Sequence, residues 1–503
     1  MDRWQTFPVE ATGGVIESSS VLTLGARAPG ALIQGQNIEG ATGRGYRRIN
    51  GFQKYDTNAV TGTGKVLGAF PFRGGVVAAR GTGYYFSTGS GWSSIKTGLS
   101  GGKTRIERYN WIKPTICLVN SVDYPVTYDQ DGTVTELTDA PQGATFVHSH
   151  KRHMVFIKDQ SLFISAPGDE TDFDGANGAA EINIGKALNS AALWRGELYI
   201  FGPNQISRLT GSSSADWAVI PVTERIGCIA PDSIQELAGD LYFLAQDGIL
   251  TISGTEETGE VNIDTKTRAI ETRIEEVISK AGTYDVSSVQ VPSKSQYRLF
   301  WGSESEPAAS AKGLLGHLHT DILQLPEIAS EWEWFDLKGI KVSCCDYNYE
   351  NNDLVVVHGD YEGYVHQQEL GSDFDGTTIT SIMQFPWWYY GDPEKRKVPQ
   401  KLSVYARREG GSSISLESLF DFEENGIIQP AAIALEDYFV SNSFFGTAVF
   451  GTNNFDSIAD ETAEVGLIGS GFFHSVKLTS NTSGDTPYIV DGFSIEFAQK
   501  GNR

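Results

Sequence analysis

Three histidines, His148, His150 and His153, stand in an H-x-H-x-x-H spacing. On a β-strand, His148 and His150 would point to the same side, and two imidazoles on one side can begin a metal site. The flanking Lys151 and Arg152 oppose a cation, so the cluster reads as turn decoration. Glu170, Asp172, Asp174, Gly175 and Glu181 fall at the ligand spacing of a calcium loop, with Glu in place of the usual first Asp. Neither flank has helical periodicity, so this stretch is expected to be a polar loop; Asp373, Asp375 and Gly376 form a shorter version of it. The sequence contains no G-x-x-x-x-G-K-[ST], no H-E-x-x-H and no S-x-D-x-G-x-x-W. No catalytic, cofactor-binding or metal-binding residue is therefore assigned, and the chain is expected not to be an enzyme.

Whatever these residues do, many short strands must hold them. The chain has 503 residues, 40% of them hydrophobic and 11% aromatic, with 56 glycines and 18 prolines. That mixture suits strands joined by tight turns, and the length suits several domains or one closed repeat architecture. The formal charge is −24, which argues against a tight phosphate-binding groove. A wall that DNA must slide past would also be acidic, because each Lys or Arg contact would act as a brake. Cys117, Cys228, Cys344 and Cys345 lack paired metal or redox spacing and are expected to be buried, reduced thiols. With no apolar signal core at the start and no long apolar span, the chain is expected to be neither exported by a standard signal nor membrane-spanning.

A strand–turn–strand unit recurs in the middle of the chain. Copies begin at Val76, Ile116, Met154, Leu198 and Leu241, with weaker ones at Tyr297 and Leu354. The spacing of about 40 residues, lengthening toward the end, is that of β-propeller blades. Gly202–Gln205, Gln246–Gly248 and Gly359–Gly363 supply the turn residues, and Ala144–Val147 and Ile182–Ile184 are candidate additional strands. A lone blade cannot bury both faces, so blades stack and the ring closes. Thr265–Lys280 breaks the pattern as an amphipathic helix, with Asp264 as its N-cap, Ile270, Ile274, Val277 and Ile278 on one face and Gly282 beyond its end.

The expected fold is all-β: a β-propeller of about six to seven blades over residues 66–375, with its helical insertion near 265–280, and a C-terminal β-sandwich-like platform over 376–503. Alternating runs from Lys401, Ser413 and Tyr488 mark that platform, and the Gly-rich segment 1–65 is expected to join it. Trp332 and Trp334 share one face of a strand, as core or subunit-interface residues would, while Trp387, Trp388, Tyr389 and Tyr390 form a second aromatic run.

Two segments resemble the tail nozzle proteins of podoviruses, also called tail tubular B or tail-stabilisation proteins. In Ala31–Asp56 the similar positions are Asn37, Gly45, Arg47, Arg48, Gly51 and Phe52. In Asp353–Gly411 they are Gly359, Asp360, Gly363, Asp375, Gly376, Ile379, Gly391, Asp392, Lys397 and Lys401. Ser165–Gly175 is also similar to the family. The match covers the start and the last third, and the middle agrees only in architecture.

The resemblance implies a virion structural protein, assembled in the host cytoplasm, that forms a homohexameric ring. That ring would sit below the head–tail adaptor, near tail fibres or spikes, and viral DNA would pass through it without sequence-specific binding. Lys395, Arg396, Lys397 and Lys401, with Trp387 and Trp388, are the interface candidates, and no cofactor is implied. Two other classes remain open from the residues: a propeller-based receptor-binding or fibre protein gripping surface glycans, and a polysaccharide hydrolase. A fibre would show a slender repetitive segment, which is missing here. A hydrolase would need convergent carboxylates in the propeller mouth.

Overall fold

The computed structural model describes residues 4–253, 255, 265–319, 331–424, 427–439 and 461–502. It is all-β and built from many small antiparallel sheets. Four consecutive four-stranded meanders come first. Sheet one runs from Val66 to Thr97, sheet two from Arg105 to Glu136, sheet three from Phe146 to Asn183 and sheet four from Ser190 to Thr223. Sheet five, Gln235–Thr251, has three strands, and the meander Asp285–Lys338 forms the sixth. Sheet seven consists of Cys344–Glu350, Asp353–Gly359 and Val365–Gln368, joined by Phe52–Lys54 from near the chain start and then by the short strands Asp373–Phe374 and Thr377–Thr378.

The sheets lie side by side in chain order. The first strand of sheet seven packs on that of sheet one, so the series returns on itself. Separate apolar layers fill the gaps. Phe72, Val77, Ile116, Leu118 and Val126 lie between sheets one and two, and Val66, Val76, Cys344, Val357 and Val365 lie between seven and one. Within a sheet, burial grades from strand to strand. Gly75–Arg80 is buried along nearly its whole length, whereas the outer strand Ser93–Thr97 is largely exposed. Middle strands sandwiched on both faces need near-continuous apolar sequence, which is why the hairpins starting at Val76, Ile116, Met154, Leu198 and Leu241 are so legible.

Among the described residues, sheet five has no paired fourth strand. The stretch beside it is tied in by Lys266 N–H to Ile249 O (3.0 Å), and the helix Glu271–Lys280 lies against Gly248–Thr251. This helix is shorter than the sequence pattern suggests. Arg268–Ile270 is a 3-10 turn, and the helix proper starts at Glu271 with no side-chain cap; Asp264 lies outside the described residues. Ile270, Ile274 and Val277 are buried as expected.

The C-terminal region forms two further layers. Long strands Lys395–Arg408 and Tyr488–Asn502 pair with each other, and Gln5–Glu10, Tyr46–Arg48 and Glu461–Gly466 flank them. The second layer, Ser381–Gln384, His474–Ser480 and Ser415–Phe420, continues the sixth meander through Gln34–Gln36, which pairs in parallel with the strand Trp332–Lys338. One apolar core joins both layers, with Leu402, Val404, Leu416, Leu478 and Phe493 inside it. The helix Val21–Arg27, capped by the Ser20 side chain, was not expected from the sequence.

The start of the chain serves both regions. Asn37, at φ 52°, donates to Lys338 O (3.1 Å) and Thr380 O (2.9 Å) and accepts from Lys338 N–H (2.9 Å). Arg48 is fully buried and donates to Asp485 O (2.6 Å), Ser372 O (3.1 Å) and Ile379 O (3.4 Å). Gly51 is required by close approach, because a Cβ there would lie 1.8 Å from Asp373 O.

Candidate functional site: the axis of the sheet ring

The first strands of all seven sheets converge on one narrow cavity of about 200 Å³. Ala69, Glu107, His148, Ala191, Gln235, Ser288 and Asp346 line it, one from each sheet. That volume is several times what one water molecule needs.

Charged side chains bridge this axis. Arg105 of sheet two meets Asp232, just before sheet five, through Nε–Oδ1 (2.6 Å) and Nη2–Oδ2 (3.0 Å), and its Nη1 donates to Thr145 O (2.8 Å). Lys103 donates to Ser343 O (2.9 Å) beside sheet seven. Burial opposes the Asp232 charge, but Arg105 and then Lys103 hold its carboxyl below the ordinary range. Asp346 has no such partner. Burial, reinforced by the charges of Glu107 and Asp232, pushes it up to about 8, so it is mostly protonated at neutral pH.

The three histidines are engaged separately. His148 Nδ1 contacts Glu107 Oε1 (2.6 Å), and its Nε2 accepts from Leu193 N–H (3.0 Å), the pattern of a neutral ring protonated at Nδ1. Burial lowers the His148 pKa, yet Glu107 outweighs it and draws the group upward. Burial, and next Lys151, lower His150 to about 4. His153 Nδ1 contacts Ser165 O (2.7 Å), and its ring packs edge-on against Trp217.

In the acidic loop, Asp172 accepts from Asp174 N–H (2.8 Å) and Asn177 Nδ2 (2.6 Å), and Asp174 accepts from Ala176 N–H (2.9 Å). These carboxylates cap turns. Among the described residues, no three His, Cys, Asp or Glu side chains are arranged to hold a metal. The four cysteines are free; three are buried and Cys345 is nearly so.

Three of the six interface candidates need correction. Trp388 is fully buried, donates Nε1–H to Pro29 O (3.1 Å) and packs on Phe493; Trp387 is buried against Phe422. Lys397 is 1% exposed and donates to the carbonyls of Asp392 and Phe472, and burial lowers its pKa to about 8. These three side chains pack within the chain and offer nothing to a partner. Lys395 and Arg396 are on the surface, paired with Asp392 (3.0 Å) and Ser470 (2.8 Å) respectively, and Lys401 pairs with Glu464 (2.7 Å).

Sequence reasoning missed a buried ion network at the meeting point of the two regions. Glu39 contacts Arg47 (2.7 Å) and Lys294 (2.8 Å), while Glu369 contacts Lys294 (2.6 Å) and Arg298 (2.5 Å). Arg47 also forms a bidentate pair with Glu409 (2.7 and 2.8 Å). Its partners lie far apart in sequence, so only the position of Arg47 in the family-like segment pointed to it. A separate cleft of about 730 Å³, lined by Lys338, Lys341, Asp360, Tyr361 and Asp375, opens beside sheet seven.

No family model matches the chain, and no curated protein matches it in sequence. Among solved structures, an extracellular domain assigned to a hybrid two-component system of B. thetaiotaomicron is similar at 10% identity and a TM-score of 0.40, covering 64% of this chain and 40% of that one. PorZ, a surface component of the type-IX secretion system of Porphyromonas gingivalis, is similar at 12% identity and a TM-score of 0.35, covering 65% of this chain and 42% of that one. The chain thus spans about two fifths of the length of these structures. Among the described residues, no helix is long and apolar enough to cross a membrane.

Proposed function

We propose that the seven sheets are the blades of a β-propeller carrying a sandwich-like platform, and that the chain is a non-enzymatic subunit of a short-tailed bacteriophage tail. Its copies form the nozzle ring below the adaptor, continue the DNA-ejection channel and help retain the genome until adsorption. One observation carries this reading. Positions that gave the nozzle resemblance, Asn37, Arg48, Gly51, Phe52 and Asp375, meet where the chain start closes sheet seven and ties it to the C-terminal layers. Residues spaced over more than half the chain act there as one structural unit. Because the propeller axis is crossed by Arg105 and Asp232, the DNA path in this reading runs between subunits, along walls of a chain with net charge −24.

Labelling intact virions with an antibody to this chain tests the proposal. Label at the lower end of a short tail is expected, and label on peripheral appendages overturns it. The second reading, glycan recognition, is favoured by the cleft beside sheet seven, where acid, amine and aromatic groups converge. Saturable binding of host surface polysaccharide, lost in Asp360→Ala and Lys338→Ala variants, would favour that reading.

A further inference from the structure

We infer that a cavity of about 700 Å³, where the platform meets the sixth meander, binds a small organic ammonium ion, with Glu333 as its counter-charge. The inference goes beyond the nozzle reading and does not depend on it.

The cavity is walled by residues 8–12, the turn through residues 41–45, residues 491–494 with Tyr405, and the pair His319 and Glu333. Its volume lies in the range of small-molecule sites. Glu333 is only 2% exposed, yet it lines this space. Its Oε1 accepts from Gly13 N–H (2.6 Å) and from the Thr12 hydroxyl (3.3 Å). Its Oε2 has no hydrogen-bond partner among the described residues. The chain start is clamped over this carboxyl group, because Gly14 N–H donates to Tyr46 Oη (3.0 Å) and Val15 N–H to Trp334 O (2.9 Å). The two donors on Oε1 are thus fixed, and the second oxygen is left for an occupant.

Glu333 also lacks a permanent counter-charge. No Lys or Arg side chain pairs with it among the described residues. His317 stands directly opposite in the ladder, but burial lowers its pKa to about 4, so its ring is neutral. His319 supplies positive charge only when protonated. Burial raises the Glu333 carboxyl, and Gly13, His319 and Thr12 offset only part of that. A buried carboxylate with an unmet acceptor is costly, and an incoming ammonium brings both the donor and the charge.

The rest of the wall suits an organic cation. Glu10, Gly492 and Tyr405 occupy one row across three strands, and the glycine puts no side chain between the other two. Glu10 is exposed and pairs with no cation among the described residues, and Tyr405 presents a ring that is 43% exposed. An aromatic ring beside a carboxylate favours a cation. Arg44 lines the same space but pairs with Asp491 (3.5 Å), which also accepts from Arg407 (2.6 and 3.1 Å). That group balances itself, so Glu10 and Glu333 set the sign and disfavour an anion. Pro8, Ala11 and Ala41 give the wall an apolar part for a hydrocarbon stem. A hard metal ion needs several oxygen ligands together, and no three His, Cys, Asp or Glu side chains among the described residues are so arranged.

Isothermal titration calorimetry of the full chain with phenethylamine, cationic at neutral pH, tests the site against its neutral counterpart 2-phenylethanol. Wild type is expected to bind one phenethylamine per chain with a dissociation constant at or below about 1 mM. The alcohol is expected to bind about tenfold more weakly or worse. Glu333→Gln keeps the acceptor for Gly13 and Thr12 but removes the charge, and should weaken phenethylamine by about tenfold. Tyr405→Ala, at an exposed position, should weaken it by about threefold and keeps the test open should Glu333→Gln fold poorly. Melting curves check the fold of each variant. No saturable binding of phenethylamine up to about 10 mM overturns the inference. Equal binding of the alcohol overturns the cation, and binding unchanged in both variants overturns this cavity as its place. None of these results bears on the virion label.

Discussion

Arg105 and Asp232 are 127 positions apart in sequence, and their side chains meet across the axis of the sheet ring in a bidentate pair at 2.6 and 3.0 Å. The pair links sheet two to the entry of sheet five, on another arc of the ring, across the axial cavity.

Removing one partner should cost more than removing both. Arg105→Ala leaves the buried Asp232 charge with only Lys103 nearby, and should lower stability by about 2–3 kcal/mol. Arg105→Leu/Asp232→Asn should recover part of that loss. Urea unfolding of the single and double variants reads both values, and additive losses would show that the two residues do not couple.

The buried histidines set the acid limit. Burial lowers His474 to about 3 and His317 to about 4, and His150 to about 4 with Lys151 adding to burial. Each unfolded imidazole takes up a proton near pH 6.5 while its folded counterpart does not. Stability should therefore fall as pH drops from about 6.5 to about 4, and each such histidine should contribute about 1.4 kcal/mol to the fall for every pH unit crossed. Melting temperatures across that range check this, and a flat profile would contradict it.

Asp346 has the opposite sign. Its folded carboxyl is raised to about 8 from an ordinary value of 3.8, so the folded state keeps a proton that the unfolded chain has lost. That contribution is complete below the ordinary carboxyl value and disappears as pH rises toward about 8. Asp346→Asn should flatten the stability profile between about pH 5 and pH 8, the window in which wild type loses this contribution. An unchanged slope would show that Asp346 is ionised in the fold.

Arg48 should hold the chain start in place. Arg48→Met leaves the carbonyls of Asp485, Ser372 and Ile379 without that donor. A loss of about 2–4 kcal/mol is expected, with earlier proteolytic clipping near Phe52–Lys54, the strand that completes sheet seven. Clipping at wild-type rates would mean that strand pairing alone secures the segment.

The sequence made the middle strands of each sheet readable because they are buried on both faces and carry continuous apolar runs. First strands were harder to see. They face the axis, where Glu107, His148, Ser288 and Asp346 interrupt the pattern. Outer strands such as Ser93–Thr97 are exposed and leave little apolar signal. Sheet seven could not be completed from local sequence, since its fourth strand, Phe52–Lys54, lies some three hundred residues from Val365–Gln368. Trp387 and Trp388 misled for a related reason: an aromatic run looks the same whether it meets a partner or, as here, the chain's own Phe422 and Phe493. The axial pair was illegible because Arg105 and Asp232 share no motif, only a place in the ring.

Cryo-electron microscopy of isolated virion tails, with the chain fitted into the density, tests the nozzle account most directly. The account expects a six-fold ring below the adaptor, with the central passage between subunits and each propeller axis closed at Arg105 and Asp232. Density that places the chain on appendages away from the tail axis, or no density for it in the tail, would contradict it.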